Sequence, residues 1–126
     1  MNDDQQILAR LERLGELLFA RDPGIVDELW SDGFRLIGSE KGEIAETRDQ
    51  LDDLFARLFH LDARLCWAWD TKTITIENDI AWVFAKGHVE IAHPDRIDRR
   101  PYRLVAIFRK VDGNWRWRLF SGSEPA

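Results

Sequence analysis

The stretch RLCWAWDTKTITIENDIAWVFAKGHVEI, Arg64 to Ile91, decides the fold. Leu65, Trp67 and Trp69 stand two apart, as do Ile74 and Ile76, and beyond Asn78-Asp79 the same period carries Ile80, Trp82 and Phe84. A β-strand turns successive side chains to opposite faces, so a period of two marks strands. Asn78-Asp79 is a two-residue turn between two of them. The pattern continues through Tyr102 to Val111 and Trp115 to Ser121, joined at Asp112-Gly113-Asn114, with a longer connection from His93 to Pro101. Four strands, Arg64 to Glu77, Ile80 to Ile91, Tyr102 to Val111 and Trp115 to Ser121, therefore predict an antiparallel meander. In the first strand the apolar phase passes from odd positions (Leu65, Trp67, Trp69) to even ones (Ile74, Ile76). One face stays apolar only if a β-bulge sits near Asp70 to Lys72 and bends the sheet.

Upstream the spacing is helical. Ile7, Leu8, Leu11, Leu14, Leu17 and Leu18 recur on one helix face, with Asp3 and Gln6 placed to cap its start. Asp22-Pro23 opens a short second helix through Ile25, Val26 and Leu29, ending near Trp30. Phe34, Leu36 and Ile37, then Glu43 to Ala45, predict two brief strands. Thr47 and Gln50 form a capping box for a third helix, whose Leu51, Leu54, Phe55, Leu58 and Phe59 make one stripe. Helices first and long strands last predict an α+β fold, three N-terminal helices packed on one face of a strongly curved, mainly antiparallel sheet. Both phases of the middle strands are apolar, however: Ile80, Trp82 and Phe84 interleave with Ala81, Val83 and Ala85, and Leu104, Ala106 and Phe108 with Val105 and Ile107. A sheet with one wet face alternates cleanly. The helices cover one face, so the other is expected to meet a second copy in a homodimer.

Composition bounds the function. The 126 residues are 44% hydrophobic and include six Trp, seven Phe and one Tyr, enough buriable surface for one folded domain over residues 1–126 and too much for a disordered chain. No apolar run approaches the roughly 18 residues of a membrane span, so no membrane is expected. Eighteen basic against 23 acidic residues leave a net charge of -5, and no nucleic-acid partner is expected. Cys66 stands alone and cannot pair internally, and MNDDQQIL lacks the pattern of a signal peptide. The expected compartment is the cytoplasm.

Several strings are similar to a known family: DELWSDGFRLIGSEKGE (Asp27 to Glu43), the capped helix TRDQLDDLF, AWVFAKGHV (Ala81 to Val89) and the terminal PYRLVAIFRKVDGNWRWRLFSGSEP. They resemble the SnoaL-like branch of the nuclear transport factor two-like superfamily over nearly the whole chain. The terminal hairpin also resembles the association domain of calmodulin-dependent kinases. The resemblance implies a cystatin-like cone, a curved sheet wrapped on helices, with a pocket inside and a dimer through the convex face. It implies no single reaction, because the superfamily holds isomerases, dehydratases, epoxide hydrolases and polyketide cyclases beside members that only bind or assemble. The arginines of the kinase domains fall here on Phe84, Ala106 and Gly122, so the likeness does not support an anionic ligand.

If the turns at Asn78-Asp79 and Gly113 put the even positions of the second and third strands on one face, the resemblance places that phase inside the cone. The expected pocket is then lined by Trp82, Phe84, Leu104, Ala106, Phe108, Arg118 and Phe120, with Trp30 at the apex, and holds a small, mostly apolar, neutral ligand. Val83, Val105, Ile107, Trp117 and Leu119 would lie outside, joined by Trp67 and Trp69 if the bulge exists; without it those two turn inward. His88, Glu90 and Tyr102 would meet at one end as base, orienting carboxylate and oxyanion donor. The plain alternative is a polar rim at strand ends. His88 and His93, five apart, cannot form a two-histidine metal pair on one face, and neither metal nor cofactor is expected. Arg96, Arg99, Arg100 and Arg103 read as a solvated hairpin tip. Two functional classes remain: a binding or accessory module with an apolar pocket, and a small cofactor-free enzyme of isomerase, dehydratase, cyclase or hydrolase type doing acid/base chemistry on a hydrophobic substrate.

Overall fold

Leu11, Leu14, Leu17 and Leu18 bury one stripe of α1, which spans Asp3–Ala20 in the computed structural model; the structure describes residues 1–125. Its cap lies one residue earlier than expected. Asn2 accepts from the Gln5 backbone at 2.8 Å and Gln5 from the Asn2 backbone at 3.0 Å. Asp3 is thereby free to accept from the Trp115 indole and the Lys110 ammonium, each at 2.9 Å, pinning the helix to a distant hairpin. In α2 (Ile25–Leu29) the cap is Gly24, whose N–H donates to Asp22 at 2.8 Å. Helix α3 (Arg48–Phe59) has the expected Thr47 cap, while the Gln50 side chain accepts from Glu46. No helix among the described residues is long and apolar enough to cross a membrane.

The strands are β1 (Arg35–Ile37), β2 (Ile44–Ala45), β3 (Arg64–Glu77), β4 (Ile80–Ala92), β5 (Ile97–Val111) and β6 (Asn114–Ser123). They form one sheet in the order β2-β1-β6-β5-β4-β3, antiparallel except where β1 runs parallel to β6. The expected bulge is present. Trp69 stands opposite Gly87 and Thr71 opposite Lys86, leaving Asp70 as the extra residue. A second bulge, unforeseen, leaves Arg118 unpaired between Trp117 and Leu119 and shifts the buried phase of β6 from Trp115 and Trp117 to Phe120 and Gly122.

The inward faces of the middle strands differ from expectation. Four residues, His93 to Arg96, join β4 to β5, and an even number places odd positions of one strand against even positions of the other. Val83 is opposite Ala106, Trp82 opposite Ile107 and Phe84 opposite Val105. The turns at Asn78-Asp79 and Gly113 join other strand pairs and could not fix this register. Val83 and Trp117 thus face inward at 0% and 1% exposure, while Trp82, Phe84, His88 and Glu90 lie on the outer face. Trp67 and Trp69 face inward although the bulge exists, because the inward phase of β4 is odd and Trp67 pairs with Val89.

The core lies between helices and inner sheet face. Phe108 and Trp117 pack with ring centroids 4.4 Å apart. The Trp117 indole donates to Glu28 at 2.8 Å, and Arg10 reaches the same carboxylate at 3.0 Å, so this largely buried acid is paired. Gly87 packs against the β3 backbone, where a β-carbon would overlap the Ala68 carbonyl oxygen. Gly87→Ala should therefore cost about 1–3 kcal/mol of stability. Gly15 sits inside α1 with open space around it, and Gly15→Ala should add up to about 1 kcal/mol. Urea denaturation of the two variants tests the opposite signs.

Candidate functional site

A cavity of about 600 Å³ opens between the three helices and the inner face of the sheet. Its body is apolar because the buried helix stripes meet there: Leu14 and Leu18 from α1, Leu29 from α2, and Leu54, Phe55 and Leu58 from α3. The sheet contributes Leu65 and Trp67 from β3, Val89 and Ile91 from β4, Tyr102 from β5 and Phe120 from β6. Trp67 is the hub of the aromatic wall, 5.5 Å from Phe120 and 6.1 Å from Tyr102 between centroids, with Trp69 stacked behind it at 5.9 Å.

One end is polar, assembled from segments far apart in sequence. The loop from Gly38 to Glu43 brings Glu40 and Glu43; the β4–β5 hairpin brings His93, Arg96, Asp98 and Arg100; Glu124 follows β6. His93 Nε2 lies 3.1 Å from Asp98, whose other oxygen is 3.5 Å from Arg96. Arg100 stands 3.7 Å from Glu124, which also accepts from the Ser39 hydroxyl at 3.2 Å. Glu43 accepts from the Glu40 N–H at 2.7 Å. Burial holds the Glu43 carboxyl above its ordinary range against the opposite pull of the Glu40 N–H, with smaller upward contributions from the charges of Glu40 and Glu124.

Tyr102 marks the boundary between the two ends. It is 6% exposed, and its phenol oxygen sits over Gly122, where a β-carbon would overlap it. Burial first, then the Glu43 and Glu124 charges, push its ionisation far above the usual value near 10.

The structure separates the residues expected to act together. Tyr102 is on the inner face, whereas His88 and Glu90 are outside, since the even positions of β4 pair with odd positions of β5. His88 Nδ1 is buried 3.7 Å from Asp70 in the bulge. Glu90 lies 3.6 Å from Arg99. The catalytic trio is thus not assembled. Trp82 and Phe84 are 37% and 44% exposed on the outer face, far from the cavity. Leu104, Ala106 and Phe108 are inward and fully buried in the core. Trp30 packs edge-on to Phe34 and does not border the cavity. Arg118, expelled by its bulge, donates to the Asp32 carbonyl and to Ser31. Of the expected lining, Tyr102 and Phe120 border the cavity. Trp67, Glu43, His93, Asp98 and Glu124 were missed. The phase shift in β3 held the signal for Trp67 and the short hairpin spacing that for the His93–Asp98 pair, but no spacing links these to Glu43 or Glu124.

Residues 7–126 match the SnoaL-like domain family, and the chain belongs to it. Solved structures share the fold. A candidate dehydratase of the nuclear transport factor two-like family from Streptomyces avermitilis superposes with a TM-score of 0.86 at 11% identity, covering 98% of this chain and 97% of its own. A candidate calcium/calmodulin-dependent protein kinase II association domain from Xanthomonas campestris gives 0.81 at 15%, covering 99% and 89%. A protein with a cystatin-like fold from Novosphingobium aromaticivorans gives 0.79 at 20%, covering 97% and 81%. At these identities the likeness establishes the fold. A search of curated proteins found no match.

Tyr102 is the sole tyrosine, which makes its environment measurable. Its folded-state ionisation lies above the unfolded value, so folded chain keeps a proton that unfolded chain releases once pH passes about 10. Stability should be insensitive to this group below pH 10 and decline above it. Tyrosinate absorbance should appear only with unfolding; growth at an ordinary midpoint in folded protein would contradict the buried site.

Proposed function

We propose that the chain is a small-molecule-binding or accessory module that holds a mostly apolar ligand in its cavity and works as a homodimer. The observation that carries this reading is a mostly apolar cavity of about 600 Å³, open to solvent, with its polar groups gathered at one end, within the range of small-ligand sites. A core built only for stability would close such a space, because each unfilled volume costs packing energy. Nile red, a neutral apolar dye, should bind and quench tryptophan emission through Trp67. Leu58 is half-buried on the α3 wall, so Leu58→Arg should fold and weaken dye binding at least about tenfold. Unchanged binding would place the dye elsewhere.

The outer face supports the dimer. Phe84, Val105, Ser121, Ile37 and Ile44 stand opposite one another in one row across five strands, and all but Ser121 are 43–57% exposed apolar residues. With Trp82 beside them they form a contiguous apolar patch of the kind that meets another protein surface. Val105→Asp should convert dimer to monomer in light scattering without loss of fold. A wild type monomeric at micromolar concentration would end the dimer reading.

A second reading, a cofactor-free acid/base enzyme, is favoured by one feature: the hydrogen-bonded His93–Asp98 pair on the border of the cavity that Tyr102 also lines. In that case His93 rather than His88 would be the base. Turnover of a bound ligand that disappears in His93→Ala, with binding intact, separates enzyme from binding module.

A further inference from the structure

We infer that the ligand is an apolar amine, its hydrocarbon body among the helix leucines and its ammonium at the polar end beside Glu43 and Glu124. This rests on the reading of the cavity as a ligand site and adds the charge of its occupant. Five carboxylates border the cavity, those of Glu40, Glu43, Asp62, Asp98 and Glu124, against the two guanidiniums of Arg96 and Arg100. Both arginines are engaged: Arg100 lies 3.7 Å from Glu124, and Arg96 lies 3.5 Å from Asp98 and from Asp95. His93 is held by Asp98 at 3.1 Å. Glu43 pairs with no cation among the described residues, its carboxylate accepting from a backbone N–H.

The aromatic wall is an independent observation pointing the same way. Trp67, Tyr102 and Phe120 border the same cavity, and aromatic faces attract a cation most strongly where water is excluded. Tyr102 is the one polar side chain more than nine-tenths buried here. A phenol oxygen accepts as well as donates, so it can offer a lone pair to an ammonium N–H. A carboxylate head would add a sixth negative charge in a medium of low effective dielectric. A hydroxyl head would gain hydrogen bonds but leave the repulsion among Glu40, Glu43 and Glu124 in place.

Three probes with one skeleton test this: naphthylmethylamine, naphthylmethanol and naphthoate, each competed against Nile red on the full chain. The amine should bind about tenfold or more tightly than the alcohol, with naphthoate weakest. Glu43→Gln keeps the acceptor for the Glu40 N–H and should cut the amine's advantage over the alcohol severalfold. Glu124→Gln repeats the test should that variant fail to fold. Equal affinity of amine and alcohol overturns the cation assignment while the cavity stands as a binding site. Naphthoate binding tightest overturns it in favour of Arg96 and Arg100. Failure of Nile red and all three probes overturns the ligand site itself.

Discussion

The four-residue turn between β4 and β5 is the constraint on which the rest of this molecule depends. Its even length commits Ala81, Val83, Ala85 and Val89 to the helix-covered side together with Tyr102, Leu104, Ala106 and Phe108. A turn one residue longer would exchange one of these sets for its neighbours, and Trp82 and Phe84 would compete for space against Ala81 and Ala85. The small inward residues leave room for Phe108, Trp117 and the helix leucines to close the core. Two bulges complete the geometry. Asp70 returns β3 to the inward phase of β4 after Trp69, and Arg118 does the same for β6 after Trp117.

That arrangement separates an apolar chamber from a polar end. The leucines of α1 and α3 can reach only one part of the inner face, and there Trp67 and Phe120 meet them. Beyond their reach the strand ends and the loop from Gly38 to Glu43 carry charged groups, because backbone and side chains there still meet water. Tyr102 suits the boundary, with an apolar ring toward the aromatic wall and a hydroxyl toward the acids. Gly122 is the local condition for it, since any side chain there would occupy the position of the phenol oxygen.

The outer face follows the opposite logic. It carries the exposed apolar residues Phe84, Val105, Ile37 and Ile44 in a row broken by Ser121, while the free edge strand β3 is broken by Asp70 and presents Thr71, Lys72, Thr73 and Thr75, which discourages further strand pairing. The proposed dimer is accordingly face to face rather than edge to edge.

Much of the fold was legible without coordinates. Period-two spacing and turn residues placed β3 at its observed limits and β4 within one residue, and the phase change from Trp69 to Ile74 confined the bulge to Asp70 to Lys72, where Asp70 is the extra residue. Helical spacing placed all three helices with their caps displaced by at most two residues. Those features are local: each depends on residues a few positions apart. Which side of the sheet each strand turned inward was not legible, because where both phases are apolar the alternation is the same read either way, and the parity of one turn decides it. The polar end was even less accessible. His93, Asp98 and Tyr102 share the β4–β5 hairpin, but Glu43 and Glu124 join them only when β6 lies between β1 and β5, so the assembled cluster is a property of strand order, which no spacing along the chain encodes.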